Sequence, residues 1–437
     1  MSESSQLSLL RESSVATQGD DWTFNGASTR ELTHCYHDYP ARMIPQIASK
    51  LLDMFATQRT NLLFDPYCGT GTSLVEAMTR GISASGTDLN PLARLIAKAK
   101  TSTPELEEVD RTISAFNKFA LSRVHDSEVE TKCVPGISRL DFWFKPSVIS
   151  RLSRIRSFVE RIRQEPIRLF FQVAFSETVR ESSNTRNNEF KLYRYDPTTL
   201  ERYNPDVLGI MAQKLARNRK GLGQLAEKML ASTKRPVLSL FDFNSVDSIP
   251  DETVRKGSVD IVVTSPPYGD SHTTVAYGQY SRLSAAWLGL AGSDKIDSKL
   301  MGSKVYRESP HLPESHLEQS LQSVREVDPK RAQEVLAFYV DLYASIRNVA
   351  EVVRPKGYAC YVVGNRKVKG IVLPTDSIVQ TYFETHGFDH VSTFHRSIPN
   401  KRMPARNSPT NASGIVDSTM VSEYIVVMRR RGRKTGK

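Results

Sequence analysis

Between residues 61 and 72 the chain reads Asn-Leu-Leu-Phe-Asp-Pro-Tyr-Cys-Gly-Thr-Gly-Thr. The apolar half of this stretch predicts a short buried strand, and the Ser-Leu-Val-Glu-Ala-Met run that follows predicts a helix. The two glycines let a ligand approach the backbone closely, and the helix N-terminus offers free N–H groups. This strand-turn-helix unit predicts an α/β fold with a doubly wound, mostly parallel sheet and a nucleotide-like cofactor at the turn.

The next predicted strand, residues 82–87, ends at Asp88, whose carboxylate is well placed to accept hydrogen bonds from two ribose hydroxyls. A dinucleotide fingerprint needs a third glycine after Gly71, but the chain continues Thr72-Ser73-Leu74. A phosphate loop of the Gly-Lys-Ser/Thr kind is also missing from the sequence. S-adenosylmethionine is therefore the best candidate, because it carries adenosine but no phosphate.

A second turn, Ser265-Pro266-Pro267-Tyr268, follows the apolar run of residues 260–264. Ligands of open α/β sheets bind beyond the carboxyl ends of such strands. Two prolines stiffen the backbone and remove two N–H donors, which leaves a hydroxyl, carbonyl acceptors and an aromatic ring. The turn suits the exocyclic amine of a flat base. A Pro-rich surface turn is the alternative interpretation.

The amine of cytosine or adenine is a poor nucleophile until acceptors hold its N–H bonds, and Ser265 and the Pro266 carbonyl are the candidate acceptors. Tyr268 is a candidate for stacking on a base extruded from the duplex. Methylation at cytosine C5 instead needs a thiolate, usually in a Pro-Cys turn, and Pro-Cys does not occur in the chain. A non-covalent route is expected, with Cys68 in a packing or cofactor-contact role.

The two motifs together resemble those of the amino-methylating DNA methyltransferases that act on cytosine N4 or adenine N6. Residues 65–72 resemble the cofactor loop of that family, residues 88–91 its ribose-binding turn, residues 264–268 its catalytic motif and residues 37–45 a segment over the methionine end of the cofactor. The resemblance implies catalytic roles for Ser265, Pro266, Pro267 and Tyr268. It implies cofactor contacts for Tyr39, Asp65, Tyr67, Cys68, Gly69, Gly71, Thr72, Asp88, Leu89, Asn90, Asp242, Phe243 and Thr264, and no metal.

The resemblance further implies a class I methyltransferase fold and a bacterial enzyme that modifies double-stranded DNA, paired with a restriction endonuclease. Ser265 in the first motif position favours cytosine N4. Three alternatives stay open: adenine N6 methylation, guanine N2 methylation of tRNA, and a non-catalytic DNA-binding protein that keeps the fold. The recognition sequence and the oligomeric state are not predicted.

The charge of the chain points to a polyanionic partner. The 437 residues carry a formal net charge of +11. Residues 145–235 hold 19 Lys and Arg against 9 Asp and Glu, a surplus of ten, and basic residues alternate there with Tyr and Asn. Such a segment can neutralise phosphates and touch base edges. We predict that it recognises the DNA target; a solvated helical face is the alternative.

The sequence also predicts a domain division and a compartment. We expect a flexible tail at 1–30, a catalytic domain at 31–105 and 236–428, a largely helical, basic inserted domain at 106–235 and a basic tail at 429–437. The four cysteines lie far apart without a Cys-x-x-Cys pair, which argues against a zinc site or disulfide scaffold. With no secretory signal or membrane-spanning run, the chain is expected to be cytoplasmic.

Later segments complete the predicted sheet. Residues 236–241 form a predicted strand ending at Asp242, which is expected to contact the adenine amine. A long helix is expected over 332–353, a buried strand over 357–364, and a closing antiparallel hairpin over 388–397 and 423–428. Residues 269–309 are expected to form a loop, either closing over the flipped base or lying on the surface.

Overall fold

Eleven strands are found in the described part of the chain. They are β1 (Leu62–Asp65), β2 (Ser83–Thr87), β3 (Leu238–Phe241), β4 (Val259–Thr264), β5 (Val353–Val363), β6 (Lys367–Val368), β7 (Ile371–Val372), β8 (Phe388–Ser397), β9 (Arg406–Asn407), β10 (Asp417–Ser418) and β11 (Ser422–Arg430). The computed structural model describes residues 21–122, 137–186, 189, 191–230, 232, 234–269, 276–292, 296–304, 306, 312–313, 316–398, 406–407, 417–418 and 422–432.

Seven of these strands form one sheet in the order β3-β2-β1-β4-β5-β11-β8. The pairs from β3 to β5 are parallel, whereas β11 runs antiparallel to both β5 and β8. This confirms the predicted mostly parallel sheet with an antiparallel terminal hairpin. The carboxyl ends of β1, β2 and β4 meet at one edge because these strands are parallel.

Helices cover the sheet on both faces. They are α1 (Pro45–Phe55), α2 (Thr72–Met78), α3 (Pro91–Lys100), α4 (Leu106–Leu121), α5 (Leu140–Trp143), α6 (Pro146–Glu160), α7 (Glu165–Ser182), α8 (Pro197–Arg202), α9 (Val207–Leu230), α10 (Tyr277–Trp287), α11 (Leu317–Val327), α12 (Pro329–Val352) and α13 (Thr375–Thr385), with a 3₁₀-helix at Leu32–Tyr36. No helix of the described residues is long and apolar enough to cross a membrane.

The central strand β4 shows why the apolar runs of the sequence form this sheet. Successive side chains of a strand point to opposite faces. Ile261 and Val263 pack with residues of α1 and α2, while Val262 packs on the other face with residues of α12 and α13. A strand covered on both faces needs apolar residues at every position, which explains the unbroken run.

The described residues of the segment 106–230 are mostly helical, as predicted, from α4 to α9. Their apolar side chains, including Phe116 and Phe171, share one core with Leu92 of α3 and Trp287 of α10. The segment is therefore packed onto the sheet domain through a common core. Its boundaries as a separate domain stay a prediction.

Long-range contacts anchor residues 21–30 and 429–431, which the sequence assigned to tails. Trp22 is only 1% exposed and packs on Phe394 with 4.8 Å between ring centroids, so residues 21–30 do not form a free tail. At the other end β11 continues to Arg430, and the Arg431 guanidinium donates a 2.7 Å hydrogen bond to Asp389. The predicted tail boundaries were therefore wrong, because long-range contacts anchor both ends; residues 1–20 and 433–437 lie outside the described residues.

The segment predicted as a loop, 269–309, contains helix α10. Leu283 and Trp287 of this helix are at most 2% exposed and pack with the helical segment. The run Gly278–Ser281 contains small and polar residues, which do not show the apolar periodicity of a helix, so the helix was not predicted. The expectation of a loop was wrong for residues 277–287, whereas residues 270–275 lie outside the described part.

Candidate functional site

A pocket lies at the edge of the sheet where β1, β2 and β4 end. Among its lining residues are these that the sequence predicted: Tyr39, Asp65, Tyr67, Cys68, Gly69, Thr72, Asp88, Leu89, Asn90, Phe243, Ser265 and Pro267. The turn predicted to bind the cofactor and the turn predicted to be catalytic, about two hundred residues apart in the chain, thus face one cleft. Gly71, Asp242, Thr264, Pro266 and Tyr268 do not line this pocket.

Asp65 joins the two turns. Its Oδ1 accepts a 2.5 Å hydrogen bond from the Thr264 hydroxyl and a 3.1 Å bond from the Tyr67 N–H, and its Oδ2 accepts one from the Ser73 hydroxyl. Burial raises the pKa of Asp65 to about 6, although these hydrogen bonds lower it. Thr264 therefore positions the catalytic turn relative to the cofactor loop without lining the pocket.

Asp88 fixes the shape of the cofactor loop from the end of β2. Its Oδ2 accepts a 3.0 Å hydrogen bond from the Gly69 N–H, and its Oδ1 accepts a 2.7 Å bond from the Asn90 N–H. Burial raises its pKa, while these N–H groups and the nearby Arg94 lower it. Carboxylate oxygens have further lone pairs, so Asp88 can also accept hydrogen bonds from a ligand.

Asn90 connects three segments beside the pocket. Its amide donates 2.7 Å hydrogen bonds to the Tyr39 hydroxyl and to Ser281 of α10. The Tyr39 ring stacks on Tyr277 of α10, with 6.0 Å between centroids and an interplanar angle of 18°. These contacts form an aromatic wall from two residues that lie far apart in the sequence.

Close packing requires the glycines of this region. Gly71 has φ +75°, a left-handed conformation that side chains rarely adopt, and a Cβ there would lie 3.0 Å from Ala97 Cβ. Gly71 therefore shapes the turn. A Cβ on Gly86 would lie 2.8 Å from Cys68 Cβ, so Cys68 is packed directly against β2. Burial raises the pKa of the Cys68 thiol well above its usual value, which agrees with a packing role and not a nucleophilic one.

The hydroxyl of Tyr67 has a defined partner. It donates a hydrogen bond to Ser345 of α12, whose Oγ lies 2.9 Å from the Ser245 hydroxyl. Burial raises the pKa of Tyr67 to about 12, so it stays a neutral donor. A phenylalanine at this position would leave the serine pair without this donor.

The catalytic turn carries a directed chain of hydrogen bonds. The Ser265 hydroxyl donates to the Tyr268 hydroxyl at 3.3 Å, and Tyr268 donates to Glu423 Oε1 at 2.9 Å. Glu423 pairs with Arg396, whose side chain is 8% exposed. Since the Ser265 proton is used within this chain, the lone pairs of its oxygen are available as acceptors on the pocket side.

Asp242 and Phe243, which follow β3, differ in their position relative to the pocket. Phe243 lines the pocket and stacks on Phe64, with 6.5 Å between centroids. The Asp242 side chain is 79% exposed and lies 3.8 Å from the Arg94 guanidinium. The contact of Asp242 with an adenine amine stays a prediction.

Other lining residues were not named as individual contacts. Of these, Ala41, Arg42, Met43, Pro66 and Thr70 lie within the two segments, 37–45 and 65–72, that the sequence assigned to the cofactor, whereas Asn244, Ser245, Tyr277, Leu300 and Met301 lie outside them. Several are neighbours of predicted residues, so extension of each motif by one or two positions finds them. Tyr277, Leu300 and Met301 have no such signal, because only the tertiary fold brings their segment to the pocket.

The lining suits a ligand with an adenosine and an amino-acid end. It combines an acceptor for hydroxyls (Asp88), an aromatic face (Phe243) and a cation (Arg42). Within the described residues, no group of three or more His, Cys, Asp or Glu side chains is arranged to hold a metal ion.

A basic hairpin, residues 184–195, lies next to α10. Thr185 and Arg194 form an antiparallel bridge, and Arg186, Lys191 and Arg194 are exposed. Arg180 joins the hairpin to the site, since its guanidinium donates to the Glu189 carbonyl and lies 4.0 Å from the Tyr280 ring centroid. Residues 187, 188 and 190 lie outside the described part. Arg180 thus links this segment to the helix that carries Tyr277.

Comparisons with known proteins agree with a methyl-transfer site. A family model described as UPF0020, RMKL-like, methyltransferase domain matches residues 30–119. Type II methyltransferase M.MvaI of Kocuria varians is 40% identical over 423 residues, which cover 93% of this chain and 93% of that protein. Type II methyltransferase M.MjaII of Methanocaldococcus jannaschii is 32% identical over 101 residues, covering 21% of this chain and 18% of that protein.

Solved structures give weaker matches. The rRNA methyltransferase AviRa from Streptomyces viridochromogenes covers 90% of this chain and 87% of its own, with a TM-score of 0.30 and 11% identity. TTHA0409 of Thermus thermophilus, described as a DNA modification methylase and complexed with S-adenosyl-L-methionine, covers 44% of this chain and 54% of its own, with a TM-score of 0.21 and 19% identity. The similarity to M.MvaI, by contrast, extends over nearly the full length of both proteins.

Proposed function

Because the chain belongs to the type II DNA methyltransferases of restriction-modification systems, we propose that it methylates the N4 amine of cytosine in duplex DNA. The methyl donor is S-adenosylmethionine, the target is a short specific sequence, and the route is non-covalent with the base flipped out of the helix. The proposed enzyme protects DNA from a partner restriction endonuclease in a bacterial cytoplasm.

One observation carries the proposal: the Ser265 turn and the Asp88 turn line the same pocket. The Thr264 hydroxyl bond to Asp65 fixes their relative position. A base amine and a methyl donor have to meet within about 3–3.5 Å for transfer. The two turns follow β4 and β2, which lie on either side of β1, and both line one pocket, which supports that proximity.

The residues of the catalytic turn have separate proposed roles. The Ser265 oxygen and the Pro266 carbonyl accept the two N–H bonds of the amine, which directs its lone pair toward the methyl carbon. The Ser265 hydroxyl donates its proton to Tyr268, and Tyr268 donates to Glu423. The Ser265 oxygen can therefore act only as an acceptor toward the amine. Pro267 stiffens the turn, and the Tyr268 ring stacks on the base. The raised pKa of Cys68 supports a route without a thiolate.

The cofactor site is proposed from the same pocket. S-adenosylmethionine supplies an electrophilic sulfonium methyl group. Asp88 accepts hydrogen bonds from the ribose hydroxyls, Phe243 packs on adenine and Asp242 contacts the adenine amine, as the resemblance implies. The remaining contacts are proposed for Tyr39, Asp65, Tyr67, Cys68, Gly69, Gly71, Thr72, Leu89, Asn90 and Thr264.

The inserted segment is the proposed reader of the target sequence. Its surplus of ten positive charges over residues 145–235 favours contact with phosphates. The basic hairpin is linked to α10 through Arg180, which supports a role for the hairpin in contacting the DNA.

The choice of cytosine rests on Ser265 in the first motif position, and adenine N6 is the alternative, since the same turn can hold either amine. The test uses duplex DNA from cells that express the protein, sequenced by a long-read method that scores modified bases. We expect N4-methylcytosine at one short motif. Oligonucleotides of that motif with its cytosines or its adenines removed then identify the target: methylation that survives loss of every cytosine overturns the cytosine assignment.

A further inference from the structure

The catalytic turn is held at both of its ends. At its start, the Thr264 hydroxyl donates to Asp65. At its end, the Tyr268 hydroxyl donates to Glu423 of β11. Glu423 lies opposite Arg396 of β8 in the register of these antiparallel strands, so the two side chains share one face of the hairpin, where they form a largely buried ion pair. The second support therefore depends on where Arg396 holds the Glu423 carboxylate.

The Trp22 carbonyl fixes Arg396 in turn. The Nε of Arg396 donates a 3.0 Å hydrogen bond to this carbonyl, and its Nη1 donates to Glu423. Phe394 lies two positions before Arg396 and therefore on the same face of β8. The Trp22 ring packs on Phe394, and the Lys50 ammonium of α1 lies 4.5 Å from the centroid of the Trp22 ring. Trp22 is thus docked between α1 and β8 with its carbonyl directed at the guanidinium.

The second acceptor matters because an arginine side chain is long and flexible. A single ion pair leaves such a side chain several rotamers. The planar guanidinium of Arg396 instead has acceptors on two of its nitrogens, and they come from two different segments of the chain. This fixes the position of its charge and hence the position of the Glu423 carboxylate. Since a carboxylate only accepts hydrogen bonds, its position decides where the Tyr268 hydroxyl points.

We propose, on the basis of the function proposed above, that Trp22 and Arg396 are positioning residues for methyl transfer, which act on the catalytic turn through Glu423 and the Tyr268 hydroxyl. Residues 21–24, which the sequence assigned to a flexible tail, thereby help to support the reacting turn. Because both residues act through one hydroxyl, their loss should cost no more than the loss of that hydroxyl itself.

A double-mutant cycle in the full-length protein tests this route. Arg396→Lys keeps the positive charge beside Glu423 but loses the fork that also reaches the Trp22 carbonyl. It should lower the single-turnover rate of methyl transfer about two- to threefold, no more than Tyr268→Phe does, and leave the affinity for S-adenosylhomocysteine unchanged. In the Tyr268→Phe background Arg396→Lys should have no further effect, because the hydroxyl through which it acts is gone.

The matched control is Arg431→Lys, the same substitution in an exposed ion pair with Asp389 at the other end of the same hairpin, which should leave the rate unchanged. Trp22→Leu keeps an apolar side chain against Phe394 but loosens the carbonyl. It should show the same non-additive loss, and its cycle decides the question if Arg396→Lys does not fold. A wild-type rate in Arg396→Lys, equal losses in both backgrounds, or a parallel loss of S-adenosylhomocysteine affinity overturns the proposal.

The rate is measured as incorporation of tritiated methyl groups from S-adenosylmethionine into unmodified duplex DNA, whichever base receives them. A wild-type protein that transfers no methyl group to DNA contradicts the proposed function and this inference with it. Additive losses with an active wild-type protein overturn the positioning role alone. An adenine target in place of cytosine leaves the inference standing, since the same turn can hold either amine.

Discussion

The Tyr268 hydroxyl donates a 2.9 Å hydrogen bond to Glu423 Oε1, which ties the catalytic turn after β4 to the antiparallel strand β11. Glu423 in turn pairs with Arg396 of β8. Burial and the Glu423 charge raise the pKa of Tyr268 well above its usual value, so the phenol remains a donor. The terminal hairpin therefore holds the aromatic ring of the catalytic turn.

Removal of the Tyr268 ring should affect methyl transfer more than removal of its hydroxyl. Base-aromatic stacking contributes about 1–3 kcal/mol, so Tyr268→Ala should lower single-turnover kcat roughly 5- to 150-fold. Tyr268→Phe keeps the ring but breaks the chain from Ser265, and a smaller loss of about threefold is expected. Exposed Tyr193→Phe serves as control. An unchanged rate in Tyr268→Ala would contradict the proposed stacking role.

Asp88 should matter more than Asp242 for cofactor affinity. Loss of a charged acceptor for ribose hydroxyls in Asp88→Asn should weaken binding of S-adenosylhomocysteine about tenfold or more. Asp242 is 79% exposed, so Asp242→Asn should weaken it by no more than about threefold, since solvent screens an exposed group. Calorimetry on the two variants measures this difference in affinity. If Asp242→Asn lost as much affinity for S-adenosylhomocysteine as Asp88→Asn, or more, the expectation that Asp88 contributes more than Asp242 would be wrong.

Lys100→Met should stabilise the protein at neutral pH. Burial lowers the pKa of Lys100 from 10.5 to about 7. Between these values the unfolded chain binds a proton that the folded chain lacks, so Lys100 makes stability rise as the pH increases from 7 to 10.5. Lys100→Met removes that rise, and at pH 7 the variant should be more stable by about 1–4 kcal/mol.

Urea unfolding at pH 7 and pH 9.5 measures this change. The matched control is Lys98→Met on the same helix, where Lys98 is 52% exposed and pairs with Glu165; its effect should stay within about 0.5 kcal/mol at both pH values. A destabilised Lys100→Met variant at pH 7, or one with the same pH slope as the wild type, would show that the ammonium has a favourable role.

The basic hairpin should contribute to DNA affinity. Combined replacement of Arg186, Lys191 and Arg194 by Ala should weaken duplex binding and reduce the slope of log K against log salt by about 1 for each phosphate that is no longer neutralised. Fluorescence anisotropy titrations at salt concentrations between about 50 and 200 mM give the affinity for duplex DNA and its salt slope. S-adenosylhomocysteine affinity should not change, and an unaltered salt slope would place the DNA on another surface.

The two turns of the site are recognisable in the sequence because each follows a short apolar strand and contains residues with strong backbone preferences. Glycine and proline act locally, so their effect is visible in the chain itself. Helix α10 was not predicted from the sequence. Tyr277 reaches the pocket only because α10 packs on the helical segment, and no local pattern around it predicts that contact.

The sequence by itself determined the alternation of strands and helices, the two turns and the type of ligand that they accept. Strands covered on both faces need continuous apolar runs, and such a run can be recognised within a short stretch of sequence. The tertiary structure alone decided that Thr264 bonds Asp65, that Tyr268 bonds Glu423 and that Arg396 pairs with Glu423 and bonds the Trp22 carbonyl. These relationships depend on strand order and on the packing of distant segments, because a hydrogen bond or an ion pair forms only where the whole fold brings its two groups within reach.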